Sequence, residues 1–258
     1  MFPYLTIYIP WLAMIAGEIA LFVLLRKASR HETGYRGFEA YITSCVAVSV
    51  TLLVISSTGR GDYYFGAYYL GAFVKVLALA AAVIEQYKIQ FFPTWSMSRR
   101  AFKVLMGALI VIAIGSIAVV MFTPQQTQFG DLAWARRVVS LSDYLLCGSM
   151  GLLLIYGELL KVQRPQRAQA IVRGFIATGI LGITSSLMLS VSGNSKLDTV
   201  VGFSTTIGFL AILGSWIFAF AKPEIVEVRP PQNSALDFLG ERPTPAHALN
   251  NELLTWKV

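Results

Sequence analysis

The sequence predicts an all-α membrane protein, a polytopic bundle of seven transmembrane helices with its N-terminus outside and its C-terminus in the cytoplasm. Three observations carry that prediction. Only 14% of the 258 residues are charged while 55% are hydrophobic, whereas soluble domains carry about 25% charged residues. Apolar runs long enough to cross about 30 Å of hydrocarbon recur through most of the chain. The basic residues, finally, gather on one side of those runs.

Seven spans are expected, at about 4–25, 37–57, 64–88, 101–122, 137–160, 169–192 and 199–221, and none of the gaps holds a separate folded domain. Residues 1–222 therefore form one transmembrane domain, followed by a short tail. No basic residue precedes span 1, and Arg26 and Lys27 follow it directly. That order is the reverse of a signal peptide's basic start, so span 1 is read as a transmembrane helix entered from outside. It carries Glu18. Span 2 follows Arg30 and Arg36 and holds Cys45.

Span 3 contains Lys75, the one basic residue set deep inside a span and not near its end. At 100° per residue, Gly71, Lys75, Ala78, Ala82 and Glu85 share a face, while Phe73 and Leu77 lie elsewhere. The lysine is thus expected to face other helices. A charge at the bilayer centre costs about 2.5–3.5 kcal/mol on insertion scales, so an acidic partner is expected. Counting 1.5 Å per residue from the outer boundary puts Lys75 roughly 16 Å deep, Asp143 of span 5 about 9 Å and Glu18 about 21 Å. Side chains tilt toward a helix N-terminus, which raises the lysine head toward Asp143. Asp143 is the preferred partner and Glu18 the second, and the three form the candidate intramembrane site.

Span 4 is entered through a basic turn with Trp95, Arg99 and Arg100. A tryptophan beside paired arginines suits contact with anionic lipid or with a protein partner. Spans 6 and 7 show small-residue stripes at four-residue spacing: Thr178, Gly182, Ser186 and Ser190, then Ser204, Gly208, Ala211 and Ser215. Such stripes let membrane helices approach closely. Glu39, Glu85 and Glu158 near the cytoplasmic ends of spans 2, 3 and 5 are expected in interfacial ion pairs. Tyr35, Tyr87, Trp95 and Tyr156 are expected as inner-interface anchors, opposite Tyr4, Tyr8, Tyr63, Tyr64 and Trp134 at the outer one.

The loops test the orientation. Spans 1–2, 3–4 and 5–6 are joined on one side, and the segments there, with the tail and adjoining helix ends, carry sixteen of the 21 Lys and Arg residues. The other side carries four: Arg60, Arg136, Arg137 and Lys196. An odd number of spans satisfies the positive-inside rule on every loop. The formal charge of +7 is accounted for by these loops, and no nucleic-acid partner is expected. The tail, 223–258, is polar and proline-rich, too short for a catalytic domain and mostly disordered by composition.

Catalytic constellations are missing. The two histidines are His31 in a loop and His247 in the tail, so no intramembrane pair can ligate haem and no zinc set exists. A Ser–His arrangement inside the membrane is equally out of reach. No cofactor and no metal are expected, and an enzyme is the least supported reading. Span 7 has no lysine for retinal, span 3 ends in Glu85-Gln86-Tyr87 rather than an acid–arginine–aromatic triplet, and the Pro-Gln pairs fall outside spans. These residues set the chain apart from microbial rhodopsins, G-protein-coupled receptors and PQ-motif carriers.

The stretch "VIEQYKIQFFPTWSMSRR" (Val83 to Arg100) and the closing "FAKPE" (Phe220 to Glu224) resemble segments of uncharacterised seven-helix bacterial integral membrane proteins. That resemblance implies a seven-helix bundle and brings no activity or site residues. Function is expected in one of three classes. The first is a sensory or coupling subunit of the inner (plasma) membrane, surrounded by lipid and working through a separate cytoplasmic protein partner. The alternative is a small-solute transporter using Lys75, Asp143 and Glu18, and a membrane-embedded enzyme comes last.

Overall fold

The computed structural model describes residues 2–29, 35–58, 61–91, 99–122, 133–159, 165–191 and 195–222. They form seven helices: α1 (Phe2–Ser29), α2 (Arg36–Ser57), α3 (Gly61–Phe91), α4 (Arg99–Phe122), α5 (Ala133–Leu159), α6 (Gln166–Val191) and α7 (Ser195–Ala221). Each of the seven is long and apolar enough to cross a membrane, which makes the chain a multi-pass helical membrane protein. Every expected span lies on one of these helices. The tail 223–258 lies outside the described residues.

Helices α1, α2, α3, α5, α6 and α7 close a ring in that order, with α1 packed on both α2 and α7. Helix α4 stands outside this ring, against α5. Its Val104, Ile110, Val111, Ile114 and Phe122 are exposed, as are Phe73 and Leu77 on the outer face of α3. Apolar surface of this extent suits hydrocarbon and not water.

Close helix approach depends on particular glycines. A Cβ on Gly37 would lie 2.8 Å from the Ala81 carbonyl oxygen and 3.0 Å from the Ala82 Cα, so α2 meets α3 backbone to backbone there. Gly174 of α6 vacates the space filled by the Trp216 indole of α7, whose Nε1 donates to the Ala170 carbonyl at 3.1 Å. Ser140 with Ser186 (3.3 Å) ties α5 to α6, and Ser185 with Thr205 (2.7 Å) ties α6 to α7. Both pairs run antiparallel: Ser140 meets Ser186 while Cys147 meets Gly179, and Trp216 sits beside Ala170 while Thr205 sits beside Ser185.

The densest packing lies at the end where α1, α3, α5 and α7 finish, called the basic end here because Arg26, Lys27, Arg36, Lys88, Arg167 and Lys222 cluster there in sequence. Phe38 of α2 is at its centre, with ring centroids 5.6 Å from Phe175, 5.1 Å from Trp216 and 6.0 Å from Phe220. Phe38, Phe175 and Trp216 are fully buried. The contacts with Phe175 and Trp216 are edge-to-face and that with Phe220 is stacked, and aromatic pairs of these kinds add roughly 0.5–1.5 kcal/mol each beyond the burial itself.

Three expectations are corrected at this end. Tyr35 is buried against Phe220 (5.5 Å) and is no interfacial anchor. The Tyr87 hydroxyl likewise points inward, donating to the Ser149 carbonyl at 2.6 Å, one turn from the Gln90–Leu153 bond at 3.0 Å. Glu85 caps a helix: its two carboxylate oxygens accept from Gly37 N (2.9 Å) and Phe38 N (3.1 Å) of the first turn of α2. Those amide groups have no intrahelical partner, and the helix dipole favours an anion beside them. Arg36 also acts electrostatically on this carboxylate.

Candidate functional site

Polar groups converge where α1, α2, α3 and α5 pass the middle of the bundle. The first is Glu18. Its helix turns it inward with Leu21 and Leu25, the i+3 and i+7 positions of the same buried face. It is 1% exposed, and its Oε2 has no hydrogen-bond partner among the described residues. The Ser49 hydroxyl of α2 lies beside the carboxyl, and Lys75 of α3 acts on it electrostatically.

Helix α2 contributes a stripe at four-residue spacing: Tyr41, Cys45 and Ser49, all buried. Cys45 is a free thiol, adjoining the Tyr41 hydroxyl and within the field of both Lys75 and Glu18. Tyr41 feels the charges of Glu18 and Asp143 together. It also stacks its ring against Phe38 (6.4 Å) and Phe175 (5.3 Å). One side chain therefore touches both the polar centre and the aromatic core.

Lys75 is half-buried on the Gly71–Ala78–Ala82 face, of which Gly71 meets Val48 and Ala82 is fully buried. The lysine faces the bundle interior, as its spacing predicts. Asp143 is half-buried on α5, with its carboxylate seated directly on Gly182 of α6, where a Cβ would collide with the carboxyl group. Among the described residues no side chain donates a hydrogen bond to it.

The lysine acts on Glu18 and Cys45, whereas the other charge linked to Asp143 is felt at Tyr41. The ring places α3 between α2 and α5, with α1 beyond α2. Glu18, Lys75 and Asp143 thus share one polar region, with Tyr41 joining its two halves. Sequence reasoning missed Tyr41, Cys45 and Ser49. Their four-residue spacing on one helix was the available signal.

Of the other candidate residues, Trp95 lies outside the described residues, and Arg99 and Arg100 open α4 with side chains that are not described. The two small-residue stripes divide. On α6, Gly182 seats Asp143 and Ser186 meets Ser140, so that stripe faces α5. On α7, Ser204, Ala211 and Ser215 are exposed, and only Gly208 of that stripe meets another helix, at Leu181. Helix α7 instead buries Ile212, Leu213, Trp216 and Phe220, of which Leu213 fills space left by Gly17 of α1 and Trp216 that left by Gly174 of α6.

Fold and site together define a multi-pass helical membrane protein with a polar centre. No family model, no curated protein and no solved structure matches the chain.

Proposed function

We propose that the chain is a sensory or coupling subunit of the inner (plasma) membrane, N-terminus outside and C-terminus in the cytoplasm, acting on a separate cytoplasmic protein partner. In this reading the state of the polar centre is transmitted to the basic end. The observation that carries it is Tyr41, which feels Glu18 and Asp143 on one side and packs on Phe38 and Phe175 on the other. A change of charge at the centre then biases the seating of Tyr41, and with it the Phe38 turn that Glu85 caps. Trp95, Arg99 and Arg100 belong to the cytoplasmic surface that would meet lipid headgroups or the partner.

Hydrogen exchange on the full chain in lipid nanodiscs tests the proposal. Lys75→Met should alter exchange across residues 37–42 and 213–220, well away from the substitution. Changes confined to the neighbourhood of residue 75 would contradict it.

Transport by the same three residues is the second reading, favoured by the unpartnered Glu18 oxygen at the bundle centre. A transport cycle must open both ends, and at the basic end that means parting Phe38 from Trp216 and Phe175. Proteoliposomes with entrapped pH- and sodium-sensitive dyes separate the two readings. A sustained flux belongs to transport, and its absence to sensing.

A further inference from the structure

We infer that the bundle opens, at the end opposite the basic end, into a vestibule that receives a small organic amine, its cationic head held at Asp143. The inference rests on the sensory reading above and names the chemical class of the signal at the same site.

The burial of each ring helix along its inward line leads to it. Residues seven or eleven apart on a helix lie within about 20° of one line. On α3 that line runs through Gln86, Ala82, Lys75, Tyr68 and Tyr64. Gln86 and Ala82 are 1% and 0% exposed, Lys75 and Tyr64 are half-buried, and Tyr68 is 43% exposed. One face of one helix thus passes from sealed to open as it leaves the basic end. The other ring helices change in the same direction. Leu25 and Glu18 of α1 are buried, and Trp11, seven residues further out, is half-buried. Ser49 of α2 is buried and Ser56 half-buried. On α5 the pair is Met150 and Asp143, on α6 Phe175 and Gly182, and on α7 Ile212 and Thr205, the first of each buried and the second half-buried. Contacts across the ring gather at the sealed end, where Phe38 meets Phe175 and Trp216 and where Tyr87 bonds the Ser149 carbonyl. Six inward faces that lose burial together enclose a funnel.

The funnel ends on charged groups. Lys75 and Asp143 are half-buried and stand within its reach, while Glu18 is sealed beside them. Two carboxyl groups face one ammonium group there. Whichever of them the lysine compensates, acid is left over for a cation, and ionisable residues inside a bundle serve such sites. Asp143 is the acid an entering ligand meets, and its seat on Gly182 keeps that side of the carboxyl group free of a bulky neighbour. Aromatic residues line the way in. Trp11, Tyr64 and Tyr68 fall on the inward lines, and the Tyr68 ring stands edge-on to Tyr69 at 5.3 Å. Ring faces attract a cation, tryptophan most strongly, and more so when the cation is desolvated. They also pack against an organic body, which a bare metal ion lacks. An ammonium group on an aromatic or aliphatic body therefore matches both parts of the funnel. The rings take the body, and Asp143 takes the head through a charge-assisted hydrogen bond. An anion of the same shape would face the surplus acid.

Charged thiol reagents of matched size test this on the full chain, freed of Cys45 and Cys147, in nanodiscs of uncharged lipid. Single cysteines replace Tyr68 and Thr205 on the open parts of two inward lines, and Gln86 and Ile212 on the sealed parts of the same lines. Tyr68→Cys and Thr205→Cys should react readily with trimethylammonioethyl methanethiosulfonate, and Gln86→Cys and Ile212→Cys should not. Relative to a free thiol, this cationic reagent should outpace its sulfonatoethyl counterpart by about ten-fold at Tyr68→Cys, and Asp143→Asn should lower that ratio. Phenethylamine should slow the labelling of Thr205→Cys, phenylalanine less, and hydrocinnamate not at all. Inertness of both open positions, or equal reaction at the sealed ones, overturns the vestibule. A preference for the anionic reagent overturns the amine, as does protection by phenethylamine that is absent or no greater than that by the other two compounds. Labelling reports access and charge alone, so a failure here leaves the exchange response of the basic end to judge the sensory reading separately.

Discussion

The three charged residues of the polar centre behave differently because their surroundings differ. Glu18 is sealed and stands in the field of a lysine, whereas Asp143 rests on a glycine without a donor. Removing one member of a compensated buried pair strands the other. Lys75→Met should therefore destabilise the bundle by up to about 3 kcal/mol, read from reversible unfolding in mixed micelles. Adding Glu18→Gln should recover much of that loss, and adding Asp143→Asn should recover little. The opposite ranking would restore the pairing that depth alone suggested. The inward direction of Lys75 was legible, because its small-residue face is written in one helix at fixed angular steps. Its field on Glu18 and Cys45 was not legible, since that depends on how α1, α2 and α3 converge.

At the scale of the helices, the seven elements were legible from hydropathy and charge almost to their ends, while their contacts were not. Glu85 illustrates the difference. From sequence it is one of several acids near a basic boundary, and in the fold it caps a helix through amides 48 and 47 residues away from it. Nothing local to Glu85 encodes that distance. Losing a cap of this kind costs about 1–2 kcal/mol, so Glu85→Ala should lower stability by that amount and speed exchange of the Gly37 and Phe38 amides. Glu85→Gln keeps an acceptor and should lose less. Unchanged exchange at both amides in the alanine variant would show that the first turn of α2 needs no such support. Helix α7 carries the same lesson in its packing. Its own small-residue stripe is mostly exposed, and it packs by inserting large side chains where α1 and α6 supply the glycines. A motif read on one helix cannot say which partner contributes the hole and which the knob.

For the whole molecule, the proposed orientation rests on charge asymmetry, which favours a cytoplasmic position for the loops after α1, α3 and α5. Single cysteines at Thr33 and Ser96, in a chain freed of Cys45 and Cys147, should resist an impermeant thiol reagent in intact cells and react in inverted vesicles. Labelling of both positions in intact cells would reverse the orientation. Ring order is the feature with the largest functional consequence, because it brings α1, α2, α3 and α5 to one polar centre and sets Tyr41 between that centre and the aromatic core. The central claim is that these two regions are coupled through that tyrosine. Hydrogen exchange of Lys75→Met in the Tyr41→Leu background measures it most directly. The account predicts that the response of residues 213–220 seen with Lys75→Met alone largely disappears when Tyr41 is leucine. A response of undiminished size would contradict it.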